Sequence, residues 1–188
     1  PRQSPRYDRW VFQVWEGSNL AWQTQGAGKL SERIEWDGTG ASGEMAAVVG
    51  RNYRFRFTGQ RGDEESALES ETVRLDSLAF QEFMGEQHLE VSNSKLFDED
   101  ESSPNLASAD YLAVLADRMR RVTAKDHVYQ LVIFQAKPDA KLARSRAKAL
   151  SWHLAKSLLI SPSRVAVDVL TAGRRGDVTL CILPPERG

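Results

Sequence analysis

The stretch Val128-Tyr129-Gln130-Leu131-Val132-Ile133-Phe134 decides how the second half of the chain is read. Only Gln130 interrupts its apolar run. A short apolar run bounded by polar residues suits a strand buried on both faces. Downstream, Pro138-Asp139 predicts a helix start. Leu142, Ala149 or Leu150, Leu154 and Leu158 then make one apolar stripe at helical spacing. Ser161-Pro162-Ser163 breaks that helix. Val165, Val167 and Val169 predict a strand, 173–177 a turn, and Val178 to Leu183 a last strand stopped by Pro184-Pro185. Upstream, Leu89 opens a strand expected to reach Leu96-Phe97, and Asp98 to Glu101 is an acidic turn. Ser108 is the expected helix cap, with Asp110 in the first turn. Tyr111, Leu112, Leu115, Met119 and Val122 follow at helical spacing, and Arg118, Arg120 and Arg121 complement the dipole at the far end. The order is β-α-β-α-β-β, so residues 87–184 are expected to form an α/β sandwich with helices on one sheet.

The first half has a different period. Trp10, Phe12 and Val14 alternate with Val11, Gln13 and Trp15. Tyr53, Phe55 and Phe57 alternate with Arg54, Arg56 and Thr58, the clearest half-buried strand in the chain. Further short strands are expected at 20–23, 33–36, 45–49 and 71–75, with Glu16 to Asn19, Asp37-Gly38 and Arg61 to Glu65 as turns. Short strands separated by turn residues predict a small antiparallel β-sandwich over residues 5–80.

Composition supports two domains. The chain has 188 residues with 41% apolar and 27% charged, which is ordinary globular composition. Its net charge of −1 is unevenly spread. Residues 1–90 hold 10 Lys+Arg against 15 Asp+Glu, and 91–188 hold 15 against 11. The segment 118–175 alone holds 13 basic residues against Asp126, Asp139 and Asp168. That segment either solvates helix faces or attracts an anion. Its aromatics, Tyr129, Phe134 and Trp152, form no stacking series with the cations, so no nucleic-acid partner is expected. No apolar run is long enough for a membrane span. The sequence opens at Pro1 with no basic-then-apolar leader, as expected of a processed chain or a fragment.

Two family resemblances attach to these elements. Trp15-Glu-Gly-Ser, Ile34-Glu-Trp-Asp-Gly38, Gly43, Gly50-x-x-Tyr53-x-Phe55 and Gly62 resemble the FlgD-like immunoglobulin-type module over residues 9–76. That resemblance implies an immunoglobulin-like sandwich, a structural and adhesive unit of bacterial envelope proteins with no catalytic residues. Leu96-Phe97-Asp98, Leu142-Ala-Arg-Ser-Arg146-Ala-Lys-Ala-Leu150 and Arg174-Arg175-Gly-Asp-Val178 resemble the OmpA-like peptidoglycan-associated domain over residues 87–183. That family grips the diaminopimelate end of a peptidoglycan stem peptide with an arginine and an aspartate. The arginine carries over onto Arg146. At the aspartate's place the chain reads Phe134-Gln-Ala-Lys137, where Lys137 would repel an ammonium. Asp139, two residues on, replaces that acid only with a loop shift. The candidate ligand residues are therefore Arg146, Asp139 and Lys137.

Other constellations point to no chemistry. The single cysteine, Cys181, excludes an internal disulfide and reads as an inert core thiol. His88, His127 and His153 are isolated and read as surface or interface residues, so no metal is expected. Asp98 to Ala109 lacks the Gly and terminal Glu of a calcium loop. No nucleophile elbow, P-loop or paired His and acid occurs, so no enzyme activity and no cofactor are expected. Arg61-Gly-Asp63 and Arg175-Gly-Asp177 fit ordinary turns. Two functions remain: an envelope-associated structural tether contacting peptidoglycan, or a protein–protein scaffold in a periplasmic assembly with the peptidoglycan site lost. Both imply a bacterial periplasmic or outer-membrane-associated location and an envelope protein partner.

Overall fold

The computed structural model describes residues 6–81, 85–122, 128–135, 140–171 and 177–184. Contacts divide the chain into two compact units, Pro1–Leu75 and Asp76–Gly188.

In the first unit, β1 (Arg6–Glu16), β2 (Asn19–Lys29), β3 (Asn52–Arg61) and β4 (Glu64–Glu69) form an antiparallel sheet in the order β2-β1-β3-β4. The short β5 (Val73–Arg74) pairs with the start of β3. Alternation works as expected along β1 and β3: Phe12 pairs with Phe57 and Val14 with Phe55, so their aromatic rings share one face.

A sandwich needs a second, facing sheet, and the described residues of this unit form a single sheet. The strands expected at 33–36 and 45–49 belong to a loop that satisfies its own backbone. Gly38, at φ +89°, puts its carbonyl under both Ala46 N and Ala47 N, each at 2.8 Å. Trp36 Nε1 donates to Thr39 O at 2.7 Å, and Tyr53 Oη accepts from Val48 N at 2.8 Å. Ala46 N, Ala47 N and Val48 N are thereby taken by local partners instead of a ladder. The loop buries Ala47 and Val49 with Val14 and Tyr53.

The second unit has the expected β-α-β-α-β-β order behind one added strand. β6 (Ser77–Gln81), β7 (Gln87–Ser92), β8 (Tyr129–Gln135), β9 (Val165–Thr171) and β10 (Val178–Leu183) form a sheet in the order β6-β7-β10-β8-β9. Residues 77–80, expected in the first domain, pair with β7 here. β8 and β9 run parallel, which the intervening helix allows, and the other pairs are antiparallel. β8 lies between β10 and β9, and its Leu131 and Ile133 have no solvent exposure.

Three local expectations shift. The strand opening at Leu89 ends at Ser92, and α1 (Asn93–Leu96) follows. Ser108 precedes α2 (Ala109–Arg121), but its hydroxyl donates back to Asn105 O. The capping side chain is Asn105, which accepts from Ser108 N at 2.9 Å and starts a single 3₁₀ turn. His88, expected at a surface or an interface, is buried on β7 with its ring edge-on to Phe80. The helix start at Pro138-Asp139 and most of the turn at 173–177 lie outside the described residues, as does His127. α3 (Ala140–Leu158) is described from Ala140 on.

The core lies between the helices and one sheet face. Leu89 and Val91, Leu131 and Ile133, and Cys181 and Leu183 meet Leu115 and Met119 of α2 and Leu150 and Leu154 of α3. Each such leucine contributes about 1.5–3 kcal/mol of burial. Cys181 sits in that apolar contact, and burial pushes its thiol up to about 12. No helix among the described residues is long and apolar enough to cross a membrane.

Candidate functional site around Arg146

α3 buries Ala143, Ala147, Leu150 and Leu154 along one stripe. Arg146 borders that stripe, which aims its side chain across the unit toward the loop after α1. Nε donates to Glu101 O at 2.8 Å and Nη2 to Asp98 O at 2.9 Å. The guanidinium carbon stands 4.8 Å from the centroid of the buried Phe97 ring. Partial burial lowers the Arg146 pKa, while the negative charges of Asp100 and Asp177 oppose that shift.

The loop that Arg146 holds is closed by its own bonds. Asn105 N donates to Leu96 O, and Asn105 Nδ2 donates to Asp98 Oδ1. Phe97 and Pro104 form an isolated bridge. Asp100 takes a left-handed backbone at φ +62°, which asparagine and aspartate tolerate better than most residues.

A buried polar knot joins the strand ends nearby. Asn93 N donates to Asp177 O at 2.9 Å, and Asn93 Nδ2 donates to Phe134 O at 2.9 Å. Thr179 Oγ1 donates to Asn93 Oδ1 at 2.7 Å. Asn93 thus ties the end of β7 to the end of β8 and the start of β10. Periodicity offers no signal for such a residue, because Asn93 interrupts an apolar pattern without a motif around it.

Of the three residues expected in the site, the structure places Arg146; Asp139 and Lys137 lie outside the described residues. The acids it places near Arg146 are Asp100 and Asp177, from two loops that sequence spacing does not connect. The two bonds of Arg146 use the Nε–Nη2 side of the guanidinium. Nη1 has no hydrogen-bond partner among the described residues, and its edge fits a carboxylate. No group of three or more His, Cys, Asp or Glu side chains suited to a metal occurs among the described residues. A separate, mostly apolar hollow between α2 and the β6–β7 edge is lined by Ser77, Leu89, Val91, Asp110, Tyr111 and Val114.

No protein-family model and no curated protein matches the chain. Solved structures do. A MotB-like protein from Desulfovibrio vulgaris is similar at 15% identity over 58% of this chain and 81% of that one, with a TM-score of 0.47. The cell-wall anchor of the T6SS from Pseudomonas aeruginosa is similar at 13% identity over 59% of this chain and 89% of that one, with a TM-score of 0.49. The OmpA-like domain of FopA1 from Francisella tularensis is similar at 12% identity over 60% and 83%, with a TM-score of 0.43.

Proposed function

We propose that the chain is a non-enzymatic, envelope-associated tether of a bacterium, periplasmic or outer-membrane-associated. Its C-terminal unit contacts peptidoglycan in the OmpA-like manner, and its N-terminal sheet acts as a spacer or adhesive module toward an envelope protein. One observation supports this most: Arg146 is held rigid by Phe97 and the carbonyls of Asp98 and Glu101, with Nη1 left for a ligand carboxylate. A stem-peptide terminus also carries an ammonium. Asp100 or Asp177, both within electrostatic reach of Arg146, supplies the matching anion.

The same two bonds favour a second function. A guanidinium already satisfied by its own loop is a structural clamp, and the unit is then a protein–protein scaffold with the peptidoglycan site lost. A pulldown with purified insoluble peptidoglycan separates the two, using wild type, Arg146→Lys and Arg146→Ala across a salt series. Retention that survives moderate salt, weakens in Arg146→Lys and disappears in folded Arg146→Ala supports the tether. No retention, or retention that salt removes equally from all three, leaves the scaffold.

A further inference from the structure

The outer face of α3 is basic and carries one exposed aromatic ring. α3 carries no Asp or Glu, and holds Lys141, Arg144, Arg146, Lys148 and Lys156. Lys148, Trp152 and Lys156 follow at four-residue steps, so they share one side of the helix. Arg144, Lys148 and Lys156 are exposed and form no ion pair among the described residues. Between the two lysines Trp152 is 59% exposed. Arg120 of α2 adds a cation at the same helix end, where its Nη2 donates to Ser157 O at 3.0 Å.

Leu159 supplies an independent observation. It follows the last residue of α3 with a left-handed backbone at φ +57°, and its side chain is 92% exposed. Ile160 N donates to Ala155 O and Leu159 N to Lys156 O, the paired bonds of a Schellman ending. Glycine suits that position and leucine is strained in it. The unit gains nothing from the side chain either, since Ile160 turns back to the core and Leu159 does not. Leu159 lies seven residues beyond Trp152, so the two stand about two turns apart along the helix axis.

We propose that this face seats on an anionic phospholipid surface. Trp152 and Leu159 enter the headgroup boundary, and Arg144, Lys148 and Lys156 meet lipid phosphates. An aromatic ring and an aliphatic side chain among unpaired cations suit that boundary, where one side is apolar and the other wet and negative. A folded acidic protein or a polyanion complements the cations but gives Leu159 no apolar medium. The face shares no residue with the Arg146 site, so the two proposals fail separately.

The test is co-sedimentation of the full chain with vesicles. One set is phosphatidylethanolamine with a minority of phosphatidylglycerol, and the other is phosphatidylcholine alone. The anionic vesicles should capture the chain, with capture falling as salt rises, and the neutral ones should not. Trp152→Ser and Leu159→Gly should each weaken capture by about tenfold while the fold is kept. Leu159→Gly removes a strained residue, so a loss of capture there cannot come from unfolding. The proposal is overturned if anionic vesicles capture nothing, or if both variants are captured as well as wild type. It is equally overturned if capture that depends on Trp152 moves to purified peptidoglycan or an acidic protein while vesicles capture none.

Discussion

Arg146 Nη2 donates to the backbone carbonyl of Asp98 at 2.9 Å, across 48 residues of sequence. With the bond to Glu101 O and the stack on Phe97, this makes Arg146 the cross-link between α3 and the 98–101 loop. Two charge-assisted bonds and a cation–π contact on a partly exposed side chain are worth about 2 kcal/mol together. Arg146→Ala should destabilise the second unit by that amount in urea unfolding and speed amide exchange over 98–105. Arg146→Lys should recover less than half, because an ammonium cannot serve two carbonyls with a planar fork. A change below about 0.5 kcal/mol would mean that Asn105 and Phe97 hold the loop unaided.

How much of this was legible follows from what each element depends on. β8 and the stripe of α3 were legible because burial on both faces, or on one stripe, forces an apolar period that local sequence must display. Arg146 was legible only through a motif resemblance, and its partners were not. Backbone carbonyls carry no side-chain identity, so no residue type at 98 or 101 announces them. The loop at 30–51 departs from its alternating pattern for the opposite reason. Arg33-Ile34-Glu35-Trp36 does alternate, but the glycines at 38, 40 and 43 let the chain turn back on itself and bond locally. Two-residue alternation is necessary for a strand and does not supply the partner strand. Leu159 could not be read at all, since a left-handed leucine is invisible until the backbone is known.

Trp10 and Gly26 are paired across β1 and β2, and the indole lies over the glycine. A Cβ on Gly26 would meet Trp10 Cζ2 at 2.5 Å and Cε2 at 2.8 Å. Gly26→Ala should therefore destabilise the first unit by about 1–3 kcal/mol. Gly28 has a positive φ of +83° and open space around it, so Gly28→Ala should cost only backbone strain, about 1 kcal/mol. In the Trp10→Ala background Gly26→Ala should lose most of its effect. Additive losses in that double-mutant cycle would show that the indole is not what excludes a side chain there.

Asn93 serves Phe134 O and Thr179 Oγ1 from a nearly sealed position. Asn93→Ala removes both bonds and should cost about 1–3 kcal/mol by chemical denaturation. Asn93→Asp replaces a donor with an acceptor facing a carbonyl oxygen. Its carboxyl is then held protonated, with a folded pKa above the unfolded value. Stability of that variant should fall as pH rises past about 4, where the unfolded chain ionises and the folded one resists. A flat profile between pH 4 and pH 7 would show that water reaches the knot.

Asp37 Oδ1 accepts from Thr39 N at 2.9 Å and from Thr39 Oγ1 at 2.6 Å. The hydroxyl bond first, and the backbone bond second, hold its carboxyl below the usual aspartate value. Because the folded pKa is depressed, the stabilisation is present above the unfolded value of about 3.9 and is lost as pH falls through the folded one. Carboxyl NMR should show Asp37 titrating below that value in wild type and closer to it in Thr39→Ala, which loses the hydroxyl and keeps the backbone bond. Equal midpoints in the two proteins would remove the hydroxyl as the cause.

Leu159 is the place where the chain can gain stability. A left-handed residue costs an L-amino acid roughly 1–2 kcal/mol, and glycine escapes that cost while giving back some through its freer unfolded chain. Leu159→Gly should therefore raise the stability of the second unit by about 0.5–1 kcal/mol, read as a higher urea midpoint at unchanged slope. Leu159→Asn should gain less, since asparagine tolerates the conformation only in part. Leu159→Ala separates strain from exposure: it keeps the β-carbon and removes the apolar arm, so its stability should match wild type within about 0.5 kcal/mol. If alanine instead destabilises as much as a core leucine truncation, the side chain is packed in solution, and the helix end is not the exposed apolar point that vesicle binding requires.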